Sequence, residues 1–238
     1  MKCVGKNAVP CTLRFWRNPK AVVIGSFQCP ELEVDIRICR EKQIPIIRRV
    51  TGGGAVYHDE GTLNYSIFTP KSHRLFSLNF LNLFENVNVS VAKALHSLGL
   101  RCASLFSNAI VVGDKKIAGI AGAVKDGAML IHGSLLINSD LNLLSEVLLL
   151  QRGSLKVEVQ RKFTRSQRMD VINLEHAIGR RISLNAVKSA LRKAFEELFS
   201  VKFIFGGLIK AEEALSRDLL KNKYSTKHWN FKYSRELA

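Results

Sequence analysis

Apolar and polar positions along this chain switch between two periods, and the switches mark its elements. Leu13–Trp16 and Ala21–Gly25 are short strand-like runs split by a turn at Asn18–Pro19. Glu31–Lys42 carries apolar residues at Leu32, Val34 or Ile36, and Ile38, the pattern of a helix that cannot continue through Pro45. Pro45–Arg49 then reads as a strand, and Thr62–Phe68 alternates as a half-buried strand does. Phe76–Leu98 is the longest helical candidate, with Leu78, Leu81, Phe84, Val87, Val91, Ala94, Leu95 and Leu98 spaced by threes and fours and Gly99 as its stop. Ala109–Val112, Lys116–Gly122 and Met129–Ile137 are strand-like, and turns at Gly113-Asp114 and Lys125-Asp126-Gly127 link them as an antiparallel meander. Leu141–Leu150 predicts a short apolar helix, and Leu155–Asp170 is polar and basic with little periodicity. After a link over Leu174–Arg181, Ser183–Phe199 predicts a serine-capped helix with Val187, Ala190, Leu191, Ala194, Phe195 and Leu198 on one side. The tail from Ala211 reads as another helix followed by Tyr224–Tyr233.

These elements predict an α+β fold, a largely antiparallel or mixed sheet flanked by helices, as one domain over residues 1–238 with a helical part from about 183. At 238 residues and 47% hydrophobic content the chain can bury a core without disulfides or metals. No run of eighteen apolar residues appears, and the N-terminus lacks the apolar stretch of a secretory signal, so a cytoplasmic protein without membrane association is expected. The five cysteines are odd in number and show no CxxC spacing, which argues for reduced thiols rather than a disulfide framework or a zinc site. Cys102, behind Arg101, reads either as a nucleophile or as a packed thiol.

The net charge of +16 attracts polyanions or acidic protein surfaces. Nucleic acid is the first suspect, but the basic residues are scattered, aromatics do not interleave with them, and no recognition motif is present. A non-enzymatic nucleic-acid binder therefore stands only as an alternative. A smaller group of residues carries more chemistry. In Arg48-Arg49-Val50-Thr51-Gly52-Gly53-Gly54 three glycines follow an arginine pair and precede a strand. Glycines lack a Cβ and can adopt positive φ, so their amides can close on a phosphate or carboxylate while an arginine supplies charge. The competing reading is a flexible hairpin beside solvated arginines. GxxxxGK[ST] is absent, and the triplet is not GxGxxG. Gly113-Asp114-Lys115-Lys116-Ile117-Ala118-Gly119 puts two lysines at a hairpin mouth, where Lys116 could stabilise charge on an acyl phosphate or simply face water. His132-Gly133-Ser134 offers a histidine that either orients a substrate or is satisfied in the core.

Taken together these segments resemble the lipoate–protein ligases of the biotin/lipoate ligase superfamily. Arg48–Asp59 with Gly61, Leu63, Asn64 and Ser66 resembles the family's hallmark motif, and Gly113–Gly119 followed by His132–Leu136 its second. Leu13–Trp16 with Val23–Gln28 is similar to its early strands and Tyr224–Asn230 to its closing segment, so the match runs in order from about Thr12 to Tyr233. The resemblance implies a class II synthetase-like catalytic domain that makes lipoyl-AMP from lipoate and MgATP. The acyl group then passes to a lysine of apo lipoyl domains of 2-oxoacid dehydrogenases or of the glycine-cleavage H protein, acceptors that tend to be acidic. By resemblance, Arg49, Gly52, Gly53, Gly54, Ala55, Val56, His58, Asn64, Ala118, Gly119, His132 and Gly133 bind the lipoyl-adenylate. Lys116 contacts the reacting oxygens, and Val56, Ala118 and Ala121 line a tunnel for the acyl tail. Magnesium ligands are not assigned.

Two departures shape the expectation. The chain resembles the short form that lacks a C-terminal accessory domain, and such ligases can need a separately encoded small subunit for activation. The helix usual before the first strand is expected to be missing. The alternative within the superfamily is an octanoyltransferase acting through a Cys102 thioester, whereas a biotin ligase is disfavoured because Thr51–Gly54 replaces a GRGRxGR-type loop.

Overall fold

The protein is described here by a computed structural model covering residues 1–73, 80–101, 103–106, 108–149 and 162–234, with backbone alone at 80, 81 and 103–106. The expected start of the long helix at 76–79, Leu78, Cys102, Leu150 and the polar stretch 155–161 lie outside these residues. The fold is α+β, and its contacts divide it into two compact units that interleave along the chain.

The first unit comprises Met1–Arg17, Gly61–Ser139 and Met169–Gly206. Strands β1 (Thr12–Trp16), β5 (Thr62–Pro70), β6 (Ala103–Phe106), β7 (Ala109–Val112), β8 (Lys115–Lys125) and β9 (Ala128–Leu136) form a sheet in the order β1-β5-β9-β8-β7-β6. Every pairing in it is antiparallel. The expected meander is present, and its β8–β9 turn has both central residues at positive φ, Asp126 at 53° and Gly127 at 75°, the type I′ geometry that Asp-Gly favours.

One face of this sheet is apolar. Leu63, Tyr65 and Ile67 of β5, Ile131 and Leu135 of β9, and Ala118 and Ile120 of β8 bury against helices α4 (Phe80–Ser97) and α7 (Leu184–Phe199). The helices contribute Leu83, Val87, Val91, Ala94 and Leu95, and Val187, Leu191, Ala194, Phe195 and Phe199, spacings of three and four that lay one stripe on the sheet. Gly99 ends α4 with φ 98°, and the amide of Leu100 reaches back to the Leu95 carbonyl. Ser183 holds the N-cap position of α7 but makes no capping hydrogen bond. The helix expected to be missing before β1 is represented by one turn, α1 (Lys2–Gly5), with Val4 buried. The link over 174–181 contains a further short helix, α6 (Leu174–Ile178), closed by Gly179 in the left-handed region.

The second unit comprises Asn18–Glu60, Asp140–Arg168 and Gly207–Ala238. Its sheet has β2 (Ala21–Ile24) between a parallel β3 (Ile46–Arg48) and an antiparallel β4 (Val56–His58). The single helix expected over 31–42 is broken into α2 (Pro30–Glu33) and α3 (Ile36–Glu41). Val34 between them is extended and bridges Leu148, and the Asp35 carboxylate accepts the Ile38 amide to start the second helix. Helix α5 (Leu141–Val147) packs beside α3, and the tail forms α8 (Lys210–Leu219), a π-helical turn and α9 (Lys227–Asn230). Among the described residues no helix is long and apolar enough to cross a membrane.

Candidate active site

In the second unit the glycine loop is dictated by sheet order. Because β3 and β4 flank β2, the connection from Arg48 to Val56 must cross the end of β2, where Gly25 follows Ile24. A Cβ on Gly25 would lie 2.1 Å from the Gly53 carbonyl oxygen, so the crossing depends on glycine at both positions. Gly53 itself has φ 88°.

Arg49 lies along this loop. Its guanidinium donates to the carbonyls of Gly52 (2.6 Å from Nη2), Gly54 (2.8 Å) and Val23 (3.1 Å) and to the Thr51 hydroxyl. With the Gly52 and Gly54 carbonyls turned to Arg49 and that of Gly53 against Gly25, the three glycine amides find no acceptor among the described residues. Successive unpartnered N–H groups backed by a cation are an anion-binding arrangement. Burial lowers the Arg49 pKa to about 10, which leaves it charged at neutral pH. The hairpin alternative, with solvated arginines, is not what the loop shows: Arg49 is built into it, and Arg48 is fully buried. Gly52 is the exception to a strict need for glycine, since a Cβ there would make only ordinary contact with Phe27 at 3.6 Å.

Three residues that the motifs did not single out hold the loop. Ser166 Oγ accepts the Ala55 amide at 2.8 Å and the Gln28 side-chain amide at 3.1 Å, while the Gln28 side-chain Oε1 accepts the Gly25 amide. Buried Glu33 accepts the Ser166 amide and pairs with Arg165 at 2.7 Å. Gln28 lies in the segment similar to the family's early strands and Glu33 in the helix expected over 31–42, but neither pattern marks the contact the residue makes, and Ser166 falls in a stretch with little periodicity. Val56 pairs with Val23 in the sheet. His58 is buried and its Nδ1 accepts from Asn18 Nδ2 at 2.9 Å. Desolvation, aided by Arg49, holds its pKa down to about 4 against the opposing pull of Asp59, so the ring is neutral at pH 7.

In the first unit the sheet face opposite the core is polar, and strand register lines its residues in rows. Asn64, Ser134 and Gly119 are opposed across β5, β9 and β8, and Ser66, His132 and Ala121 form the next row. Lys116 joins this face through a β-bulge. It lies three positions before Gly119, an offset that in a regular strand would put the two on opposite faces. Val111 pairs with Lys116 while Ile110 pairs with Ala118, so Ile117 is the extra residue; it and Ala118 both turn into the core. The lysine side chain folds over Gly119, where a Cβ would sit 2.8 Å from Cε and 2.9 Å from Nζ. The main chain of Lys116 is fixed on both sides, its amide on the Asp170 carbonyl and its carbonyl on the Ile172 amide.

Of the residues expected to bind, Asn64, Lys116, Gly119 and His132 thus share one face, and Arg49, Gly52, Gly53, Gly54, Ala55, Val56 and His58 share the loop and its flanking strand. Ala118 and Gly133 do not join them by their side-chain positions. Strand alternation turns both toward the core, where Ala118 is 2% exposed and the space of a Gly133 Cβ is filled by the Tyr65 phenol. The tunnel-lining role expected of Ala118 therefore does not fit its side chain.

Comparison with known proteins bears on the fold and the family of the chain. A family model described as lipoyl protein ligase A/B catalytic domain matches residues 1–196. Lipoate-protein ligase A subunit 1 of Thermoplasma acidophilum is 36% identical over 228 residues, covering 92% of this chain and 83% of the relative. Octanoyltransferase LipM of Clostridioides difficile is 30% identical over 241 residues, covering 93% and 87%. Among solved structures, a T. acidophilum protein with bound lipoic acid superposes with TM-score 0.77 at 34% identity, covering 92% of this chain and 85% of the other. A lipoate-protein ligase A bound with ATP gives 0.77 at 35%, covering 93% and 85%. The bi-partite lipoate protein ligase of T. acidophilum, described with its E2 lipoyl domain, gives 0.79 at 34%, covering 96% and 88%. With a family model over more than half its length and a relative above 30% identity across most of it, the chain belongs to the lipoyl protein ligase A/B catalytic domain family.

Proposed function

We propose that this protein is a lipoate–protein ligase whose residues 1–238 act as one catalytic domain, a reading supported by a family match that runs through segments of both units. The lipoate carboxylate attacks the α-phosphorus of ATP, releasing pyrophosphate and forming lipoyl-AMP; the amine of an acceptor lysine then attacks the acyl carbon and AMP leaves. The Gly52–Gly54 amides with Arg49 behind them take anionic oxygens, and the Lys116 ammonium offsets charge that builds on the acyl phosphate. The observation that carries the proposal is the bulge that turns Lys116 over Gly119 on the polar face, since a solvated hairpin lysine needs no such placement. Acceptors are lipoyl domains, with 2-oxoacid dehydrogenase and H-protein domains as the classes to test, and a separate small subunit is a candidate requirement for activation.

Magnesium is commonly held by one or two carboxylates together with substrate phosphates, and its ligands are not assigned in this chain. Among the described residues no group of three or more His, Cys, Asp or Glu is placed to hold a metal ion, so no step is assigned to one.

The test is to incubate the protein with lipoate, ATP and an apo lipoyl domain, and in parallel with preformed lipoyl-AMP, and to read the acceptor mass. Modification in both marks a full ligase, and modification only from lipoyl-AMP marks a chain that needs a partner for activation. No modification in either sinks the proposal. The second reading, octanoyl transfer through Cys102, is raised by the similarity to LipM. Cys102→Ser protein that retained full ATP-dependent lipoylation would eliminate it.

A further inference from the structure

Lys116 lies where its own sheet runs out. Strand β9 pairs with β8 only as far as Ala118–Leu135, and its continuation turns to the other side, with Leu136 opposite Thr62 and the amides of Ile137 and Asn138 on the Gly61 carbonyl. The side of β8 that β9 vacates is taken at Lys116 by residues 170–172, bridged in parallel through Val171. A parallel bridge one residue long has little stability of its own, so this strap must be held from elsewhere. Asn173, the next residue, clamps it. Its Oδ1 accepts the Ser139 amide at 3.0 Å and its Nδ2 donates to the Ser139 carbonyl at 2.9 Å. These partners settle the orientation of the carboxamide: turned over, the NH₂ would face an N–H and the carbonyl a carbonyl, and both bonds would be lost. An asparagine at an N-cap ordinarily accepts from the first turn of its own helix. Asn173 stands at the N-cap of α6 and makes no such bond, its side chain being turned to Ser139 instead. The Glu175 amide on the Ile137 carbonyl is a further tie between the same two segments.

We infer that Asn173 is a positioning residue for Lys116: by clamping the end of the 170–172 strap to the chain leaving β9, it holds the strap that fixes the lysine's main chain, and with it the reach of Nζ over Gly119. The role rests on the ligase reading above and adds a residue to it, one that acts through the main chain of Lys116. With the clamp lost, the strap gains freedom and the ammonium spends time away from the acyl phosphate. The loss falls on the transition state, where the lysine's charge counts most, so kcat drops while KM holds.

The test uses Asn173→Asp, which keeps the acceptor for the Ser139 amide but sets a carboxylate oxygen against the Ser139 carbonyl. Transfer from preformed lipoyl-AMP to an apo lipoyl domain is measured, a reaction independent of the activation step. Asn173→Asp should lower kcat by roughly tenfold with KM for lipoyl-AMP within about twofold. Hydrogen exchange resolved at single amides should be faster by roughly tenfold at Lys116, whose amide the Asp170 carbonyl accepts, with the amides of α7 unchanged. Wild-type kcat, a loss seen in KM alone, wild-type protection at Lys116, or faster exchange throughout α7 as well overturns the role and leaves the ligase reading intact. Should Asn173→Asp fail to fold, the wild type carries the test. As denaturant is raised, the Ser139 amide, held by Asn173 Oδ1, should lose protection together with that of Lys116, and a Ser139 amide that opens while Lys116 stays protected overturns the role. Wild-type protein that transfers nothing from lipoyl-AMP overturns the ligase reading, and the exchange measurements still decide whether Asn173 holds Lys116.

Discussion

Arg48 and Arg49 are neighbours with opposite fates, and the difference lies in what surrounds each guanidinium. Arg48 donates to carbonyls of Gly25, Ser26 and Gln28 on one side and of Trp229, Asn230 and Lys232 on the other, while its own carbonyl accepts the Trp229 indole N–H. A lysine has three donors on a point charge and cannot serve that fork, so Arg48→Lys should destabilise the protein by about 3 kcal/mol or more, read from chemical denaturation. Within the loop the glycines separate into classes. Gly53→Ala forces a side chain to φ 88° and should abolish lipoyl-AMP binding with the fold retained, whereas Gly52→Ala, which makes only ordinary contact with Phe27, should bind nearly as wild type. Equal losses in the two variants would refute the account of the crossing. His58 makes stability depend on pH. Its folded pKa, about 4, lies below the ordinary 6.5. The unfolded chain therefore takes up a proton before the folded protein does, and the contribution is complete above pH 6.5 and lost as pH falls toward 4. The loss amounts to about 3 kcal/mol at most, and His58→Gln should flatten that window in pH-dependent unfolding.

At the scale of elements, what was legible depended on whether the signal was local. Period-two runs and the Asp-Gly turn gave the meander, because a type I′ turn and alternating burial are written in adjacent residues. Gly127→Ala tests the turn: at φ 75°, with a Cβ only 3.0 Å from the Gly5 carbonyl oxygen, it should cost about 1–2 kcal/mol in thermal or denaturant unfolding. Non-local features were not legible. The bulge at Ile117 arises from how β7 pairs with β8, and nothing in Lys116-Ile117-Ala118-Gly119 announces that two adjacent residues share the core. The break at Val34–Asp35 likewise depends on Leu148, more than a hundred positions along the chain. The loop and hairpin residues proposed for the site stand in motifs that are readable in sequence. The residues that hold the glycine loop, Ser166 and Glu33, were not legible, since a serine or glutamate acquires its role only from the partner that folding brings to it.

For the molecule as a whole, charge and connectivity matter most. Formal charge of +16 should steer an acidic acceptor, so raising salt is expected to slow acceptor association while leaving lipoate activation little changed, measured as separate rates for adenylation and transfer. If both slow alike, steering is not the cause. The single domain expected from sequence carries two interleaved units, and the chain passes from one to the other at Arg17–Asn18, Glu60–Gly61, Ser139–Asp140, Arg168–Met169 and Gly206–Gly207. Interleaving left no mark in composition, because each crossing is a short, unremarked piece of chain. It also sets a timetable for biosynthesis. Strand β3 leaves the ribosome early, but the six-carbonyl cage around Arg48 draws half its oxygens from Trp229, Asn230 and Lys232, about 180 residues later. Until those residues emerge, the guanidinium beside the glycine loop stays hydrated and its unit stays open, so a nascent chain stalled before Trp229 should remain protease-sensitive at Gly25–Gln28.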